Sequence, residues 1–542
     1  MKKWNILNTY PKSGDILSTL LKNRNITDPE AIEEFLHPLS LQEYKDKMPE
    51  EFKQSLAKAS ELIHSYIKNN HTIVIYGDYD CDGVCATAIL FKVFTDVLKY
   101  ANCSYFIPSR FAHGYGVSTI SLDEIHNGRK QGDPCLIITV DTGITAVEEV
   151  EYAKSLGFEV IVTDHHQKAQ TVPQANVVLW TDEVVGAGVA WLLSTFLGLE
   201  DTACIDLCAL ATVTDLQPLV GINRAIVIHG LEKLNTDINY GIKSLLDLAG
   251  KTGSTGVYEL GWVIGPRINA LGRMEHAIRG VELLTTHDPV KALELASVLQ
   301  STNVIRQDET EKMYDIANIS DKTGNIIISA DSNYHEGIIG LVAARLVQKF
   351  FKPAIVISHD ENIGKGSVRS VPGIDIIAVL RKFEHLFEKL GGHPMAAGFS
   401  IKTENIPLLV SELGEYMNAN FNDEYFTPFI DIDMEIPLSL VNLAFYEKVA
   451  QLLPYGVGNT EPVFCSRDLI ISDFNYVGKD AKHLSLKLIA GGITYKAIFF
   501  NAAQDRYVLS QGQRISVAYT LGKNVYKDRV SIDLILKDIV LE

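Results

Sequence analysis

Cysteine pairs are missing from this sequence. Its seven cysteines include no Cys-x-x-Cys spacing, which argues against a disulfide framework and against a cysteine-ligated zinc site. No apolar stretch approaches the roughly 20 residues that span a bilayer. Met1-Lys2-Lys3 leads into Trp4-Asn5-Ile6-Leu7-Asn8, which lacks the continuous apolar segment of a secretory signal. Internal repeats and low-complexity segments are absent too, and the cytoplasm is the expected compartment. Positive charge is also short, with 49 Lys and Arg against 67 Asp and Glu, a net −18. Such a deficit speaks against a simple nucleic-acid binder. Carboxylates that hold cations contribute to the total, however, and are neutralised once loaded. The deficit is also uneven: residues 467–542 carry 11 Lys and Arg against 8 Asp and Glu, a local balance of +3.

What is present suffices for several cores. A chain of 542 residues, 46% hydrophobic and 21% charged, predicts roughly two to four globular domains. The start reads helical, with a capped entry at Thr27-Asp28-Pro29-Glu30 where proline occupies the first turn. Between about 72 and 220, apolar runs at 73–76, 136–140 and 159–163 alternate with helix-like stretches at 84–99 and 146–156. That alternation predicts an α/β domain built on a parallel sheet. Residues 225–318 read as a helical connector with amphipathic stretches at 289–300 and 306–319, and a second α/β pattern follows, with strands near 325–329 and 354–357. The last stretch alternates as strands do, and Gly491-Gly492 between two such runs reads as a hairpin turn. Several short strands in so short a segment predict a small barrel of the oligonucleotide-binding (OB) type. The expected domains are 1–225, 226–318, 319–450 and 451–542.

The chemistry concentrates at predicted strand ends. Asp78-Tyr79-Asp80-Cys81-Asp82-Gly83 follows the apolar run Ile73-Val74-Ile75-Tyr76. Asp141 ends a second run, Asp164-His165-His166 ends a third, and Asp215 ends a fourth apolar stretch. Strand ends are where ligands gather in parallel sheets. The Asp-x-Asp-x-Asp-Gly string is not an EF-hand loop, because the twelfth position is Ile89 where that loop needs glutamate. Oxygen and imidazole ligands without cysteine suit Mn²⁺ or Mg²⁺. Asp80, Asp82, Asp141, His165 and Asp215 supply enough ligands for two ions roughly 3.5–4 Å apart, as used in displacement at phosphorus. Spacing alone leaves open which histidine ligates and which touches substrate.

These elements resemble the DHH phosphoesterase superfamily, and further strings narrow the resemblance to its RecJ family. They are Phe106-Ile107-Pro108-Ser109-Arg110 before Gly114-Tyr115-Gly116, Gly265-Pro266-Arg267-Ile268-Asn269-Ala270 before Gly272-Arg273-Met274, and His335-Glu336-Gly337-Ile338-Ile339-Gly340. Gly366-Ser367-Val368-Arg369-Ser370, Gly391-Gly392-His393 and Pro454-Tyr455-Gly456-Val457-Gly458-Asn459 continue the series in the same order. The resemblance implies a DHH domain, a long helix, a DHH-associated (DHHA1) domain and an OB-like barrel that grips the strand. It implies a two-metal 5′→3′ exonuclease acting on single-stranded DNA in repair and recombination. Single-stranded-DNA-binding protein and a helicase are its implied partners. Asp78 and His166 would support the metal ligands or contact phosphate, and Arg110, Arg273, Ser367, Arg369 and His393 would bind phosphate. Arginine forks suit phosphate oxygens, and Gly364-x-Gly366-Ser367 allows close backbone approach to an anion. Aromatics of the last domain (Phe474, Tyr476, Tyr495, Phe499, Tyr519, Tyr526) are able to stack on bases, although alternation sends most of them into the core.

The pattern departs from the family in two places. Thr142 follows Asp141 where many relatives have Cys or Asn, and the chain ends at Glu542, so no further partner-binding module is expected after the barrel. The alternative function is a DHH-type phosphoesterase acting on short oligonucleotides or cyclic dinucleotides. The barrel-like tail weighs against it, because a dinucleotide enzyme has no use for a module that grips a strand.

Overall fold

A computed structural model describes residues 2–10, 15–130, 132–319, 324–502, 508–526 and 529–542. It forms two compact units, one of residues 39–217 and 222–427, the other of 1–38, 218–221 and 428–542.

The larger unit contains two sheets. The first has five parallel strands in the order Cys103–Phe106, Thr72–Tyr76, Cys135–Val140, Phe158–Asp164, Val177–Trp180. Cys135–Val140 is buried along its whole length, which explains why it reads as an unbroken apolar run. The helix Cys81–Lys92, with every residue from Cys81 to Leu90 buried, packs on the helices Gly186–Phe196, Ile205–Thr214 and Ile278–Thr285. The sequence suggested one helix over 84–99; the structure starts it at the Asp80 cap and ends it in a π-helical turn, Val93–Val97.

The connector's two amphipathic stretches fuse into one helix, Pro289–Ala317, capped by Asp288, which accepts from the Val290 N–H at 2.8 Å. At 29 residues it is about 44 Å long. Its buried residues include Ala292, Ala296, Leu299, Asn303, Thr310, Met313, Tyr314 and Ala317, a helix-period stripe.

The second sheet runs Phe387–His393, Ala396–Lys402, Ile363–Arg369, Ala354–His359, Ile327–Asp331, and only the last pair is parallel. Along Ile363–Arg369 the faces alternate. Gly364, Gly366 and Val368 are buried, while Lys365, Ser367 and Arg369 point to the other side. A Cβ on Gly366 would lie 2.1 Å from Cζ of Phe399. The two glycines expected to free the backbone for an anion therefore lie within a strand, and packing against the Phe399 ring is what demands glycine at 366.

The smaller unit opens with a strand where the sequence read helix. Lys3–Ile6 pairs in parallel with Phe429–Ile432. Four residues with a partner 426 positions away carry no local signal. The helix Pro29–Leu36 is capped as expected, with Asp28 accepting from the Glu30 and Ala31 N–H groups, both at 3.0 Å. The barrel closes through Phe464–Val477, His483–Ala490, Ile493–Phe499, Arg529–Leu541 and Arg514–Tyr526, the last pairing back onto the first. Gly491 and Gly492 make the expected two-residue hairpin turn with φ of 55° and 82°, as a type I′ turn requires. Tyr495, Phe499 and Tyr519 are buried in the barrel core, Phe474 is partly buried against it and Tyr476 is exposed. The side chain of Tyr526 lies outside the described residues. No helix among the described residues is long and apolar enough to cross a membrane.

Candidate metal centre and anion cleft

Each acidic group of the centre owes its position to a local device. Asp80 caps the helix Cys81–Lys92, accepting from the N–H groups of Asp82 at 2.9 Å and Gly83 at 3.1 Å through Oδ1; this is the capping geometry short acidic side chains favour. Asp82 accepts from the first N–H groups of a helix that starts 104 residues on, Gly186–Phe196, from Gly186 at 2.8 Å and Ala187 at 2.7 Å. Asp141 leaves its strand with φ of 60°, a left-handed conformation in which aspartate is tolerated better than most residues. Gly186 makes room for it, since a Cβ there would lie 2.6 Å from Asp141 Oδ1. Asp215 follows the helix Ile205–Thr214 and accepts from Gln217 at 3.1 Å.

All seven residues expected at the centre come together. His165 Nε2 lies 3.1 Å from Asp141 Oδ1, 3.5 Å from Asp82 Oδ2 and 3.9 Å from Asp215 Oδ2. Ligand atoms of three sets, Asp78-Asp80-Asp141, Asp141-His165-His166 and Asp82-His165-Asp215, each fall within 4.8 Å of one another. Asp141 Oδ1 is buried without a hydrogen bond, although His165 Nε2 is 3.1 Å away. The contact distance is met and the hydrogen-bond geometry is not. Two lone-pair donors that face a common point without bonding to each other fit a shared cation, so the residues present suit divalent metal.

The electrostatics agree. Burial and the neighbouring carboxylates hold Asp82 and Asp141 well above the usual carboxylate range. Burial and Asp80 push Asp78 up to about 8, and burial brings Asp215 to about 6. So many buried acids are tolerable only when protonated or when a positive charge sits among them. Burial and the adjacent His166 lower His165 to about 4, leaving a neutral imidazole with a free lone pair. Burial opposes the charge on His166, yet the Asp164 carboxylate raises it to about 9.

Asp164 is the residue whose part the sequence reading missed. It is 1% exposed and accepts from four donors. They are Ile144 N–H at 2.9 Å, His165 N–H at 2.7 Å, His166 N–H at 3.1 Å and His166 Nδ1 at 2.7 Å. Burial works against its charge, but His166 and these donors still hold it below the usual range. It fixes the His166 ring through Nδ1 and holds the backbone N–H of both histidines, a role carboxylates commonly play behind ligating histidines. The signal was present, since Asp164 is itself a strand-end aspartate.

Beside the centre lies a cleft of about 530 Å³. One wall carries Tyr79, Arg110 and Tyr115, the helix Gly265–Met274 contributes Arg273, and the second sheet provides Lys365, Ser367, Arg369 and Lys389. Tyr115 also links cleft to centre, its hydroxyl 3.1 Å from His166 Nε2. Asn269 on the helix of Arg273 accepts from Cys81 N–H at 2.7 Å, tying that helix to the aspartate loop. Burial, with Arg110 and Arg306 nearby, pushes Arg273 down to about 10. Among the described residues Arg110, Arg273 and Arg369 form no ion pair. Unpaired guanidinium groups at one place are an anion site. Of the expected phosphate contacts, Arg110, Arg273, Ser367 and Arg369 line the cleft. His393 faces the same side of the sheet but is exposed and outside the lining. Tyr79, Tyr115, Glu336, Lys365 and Lys389 line it without having been singled out as site residues.

With this geometry in hand, comparison with known proteins is direct. Three family models match in order: the DHH family N-terminal domain over 72–212, the DHHA1 domain over 323–419 and the RecJ OB domain over 432–538. The single-stranded-DNA-specific exonuclease RecJ of Bacillus subtilis (strain 168) is 32% identical over 540 residues, covering 96% of this chain and 67% of that protein. The crystal structure of RecJ in complex with Mn²⁺ from Thermus thermophilus superposes with a TM-score of 0.84 at 27% identity, covering 100% of this chain and 80% of that one. The Mg²⁺ complex from the same organism gives 0.75 at 26% identity, covering 99% and 78%. By fold, by order of domains and by identity along almost its full length, the chain belongs to the RecJ family of DHH phosphoesterases.

Proposed function

We propose that this protein is a divalent-cation-dependent exonuclease that hydrolyses single-stranded DNA from its 5′ end. The observation that carries the reading is the junction of two opposite sites. A buried acidic and imidazole centre opens, through Tyr115, into a cleft of unpaired arginines. Asp80, Asp82, Asp141, His165 and Asp215 would hold two Mn²⁺ or Mg²⁺ ions, with Asp78 and His166 at the edge of the set. When bound, such ions acidify a water and offset charge on phosphate oxygens. The chain's own groups do the rest. Asp164 locks the orientation of the His166 ring and holds the backbone of His165. His166, held at Nδ1 by Asp164, presents Nε2 beside the Tyr115 hydroxyl toward a substrate oxygen. Arg110, Arg273, Ser367 and Arg369 hold the terminal 5′-phosphate, so that one nucleotide fits between that anchor and the bond to be cut, which sets the polarity. His393 would meet the strand outside the cleft.

The same reading assigns roles by region. Residues 1–225 carry the catalytic centre and Arg110, 226–318 connect and supply Arg273, 319–450 supply Ser367 and Arg369 to the 5′ end, and 451–542 grip the strand. It extends to work in repair and recombination in the cytoplasm, alongside single-stranded-DNA-binding protein and a helicase. The closed barrel favours a long strand over a dinucleotide. The test is digestion of 5′- and 3′-labelled single strands with Mn²⁺ or Mg²⁺, alongside duplex, RNA and dinucleotide controls. Loss of the 5′ label first, as mononucleotide, with duplex resistant, is the expected result. A dinucleotide preference or loss from the 3′ end overturns the reading.

A further inference from the structure

The cleft is larger than a terminal phosphate needs, and its surplus has a definite chemistry. The registers of three neighbouring strands set out parallel rows across one sheet face. Arg369 aligns with Ala396 and His393, Ser367 with Gly398 and Gly391, and Lys365 with Ser400 and Lys389. Arg369 and Lys365 are four residues apart on one strand, about 13 Å, so the second and third rows extend well past the arginine end of the cleft. The middle row has almost no side chains. At Gly391 an added Cβ would meet nothing within 4 Å, and at Gly398 only the Gly366 carbonyl oxygen at 3.8 Å. Neither residue has a positive φ. Neither packing nor backbone conformation demands glycine at these two positions, so their bareness keeps a trough open. At its far end stand two ammonium groups and a hydroxyl, Lys365, Lys389 and Ser400, with Glu336 bonded to Lys365 at 2.7 Å. The two lysines and one glutamate leave one net positive charge.

We propose that this trough is a second anion subsite, which receives the outer phosphates of a 5′-di- or triphosphorylated strand while the arginine end binds the first phosphate. A nucleoside fits it poorly, because the lining tyrosines, Tyr79 and Tyr115, belong to the opposite wall, and bases are held by stacking. Phosphate oxygens find two lysines, a hydroxyl and a bare floor. The proposal rests on the exonuclease reading above. Water adds across the P–O3′ bond of the first linkage. The first nucleoside leaves with its triphosphate intact and a 3′-hydroxyl, and the shortened strand keeps a 5′-monophosphate. Only the first turnover therefore senses the subsite.

The experiment compares first-nucleotide release from strands identical except for a 5′-mono- or 5′-triphosphate, using the full chain with Mn²⁺ and identifying the first product by mass. We expect a nucleoside triphosphate as first product, released within about ten-fold of the monophosphate rate. Lys389→Glu should lower the triphosphate-to-monophosphate ratio at least ten-fold, and Glu336→Gln should raise it. Both side chains reach solvent at the cleft, so neither change disturbs a core. A monophosphorylated strand cut normally while the triphosphorylated one resists, a ratio indifferent to both variants, or a dinucleotide as first product would each overturn the subsite and leave the exonuclease intact. A monophosphorylated strand that is not shortened from its 5′ end would remove the parent reading as well.

Discussion

The acidic centre and the basic cleft are neighbours built on opposite terms. The centre gathers carboxylates at the ends of strands and helices, with Asp80, Asp82 and Asp164 pinned by backbone donors. The cleft gathers arginines and lysines from three distant stretches of chain, partly open to water and lightly bonded. In both, charges of one sign crowd together at a cost that a bound cation would offset in one and an anion in the other. The difference lies in tolerance. A buried carboxylate can neutralise itself by taking a proton, whereas an arginine holds its charge at any ordinary pH. The centre can therefore be buried, and the cleft has to stay accessible to water or substrate.

The sharpest way to break the comparison is to remove the shared ligand. Asp141→Asn should reduce Mn²⁺ affinity more than about 100-fold, beyond what loss of an outer partner costs, and abolish hydrolysis. Titration calorimetry checks the first and strand digestion the second, and retention of both would dissolve the proposed centre. Next, Asp164→Asn should weaken metal binding by about 10–100-fold. It should also move the His166 titration down from about 9, visible by NMR in the cation-free protein. An unmoved His166 would deny the orienting role of Asp164. On the basic side, Arg369→Ala should cost about 10-fold or more on 5′-phosphorylated strands, the scale of a charged hydrogen bond of about 1.5–3 kcal/mol. It should cost much less on strands with a 5′-hydroxyl, and equal losses would argue against terminal-phosphate recognition.

The smallest effect concerns pH. Asp215 and Asp78 are raised to about 6 and about 8 in the folded protein. Between the usual carboxylate value and those values the folded state binds more protons than the unfolded. Their contribution to stability is thus complete in acid and lost as pH climbs through 6 and then 8. The cation-free protein should melt lower at pH 8.5 than at pH 5.5, and Mn²⁺ should restore more at the higher pH. A melting temperature that rises with pH in chelator would contradict the assignment.

Parts of this architecture are legible in the sequence. Asp78, Asp80, Asp82, Asp141, His165 and His166 follow apolar runs that become strands, and a parallel sheet brings such ends to one edge; Asp215 ends an apolar run that is a helix, and packing of that helix brings it to the same place. The Gly491-Gly492 turn and the Asp28 cap are local devices and read equally well. Other features carry no local signature. The Lys3–Ile6 strand exists through a partner at Phe429–Ile432. Gly366 looks like a phosphate-loop glycine until the Phe399 ring is seen beneath it. Lys365 and Lys389 read as ordinary solvated lysines until strand register aligns them.

By itself the sequence determined the alternation of strands and helices, the positions of the acidic groups along it and therefore the existence of a cation centre, because periodicity and strand ends are properties of neighbours in the chain. Only the tertiary structure decided which carboxylate bonds the His166 ring, which basic side chains share a cleft and how far that cleft extends. Those outcomes depend on strand register and on packing between stretches as distant in the chain as Arg110 and Arg369, which a single periodicity does not report.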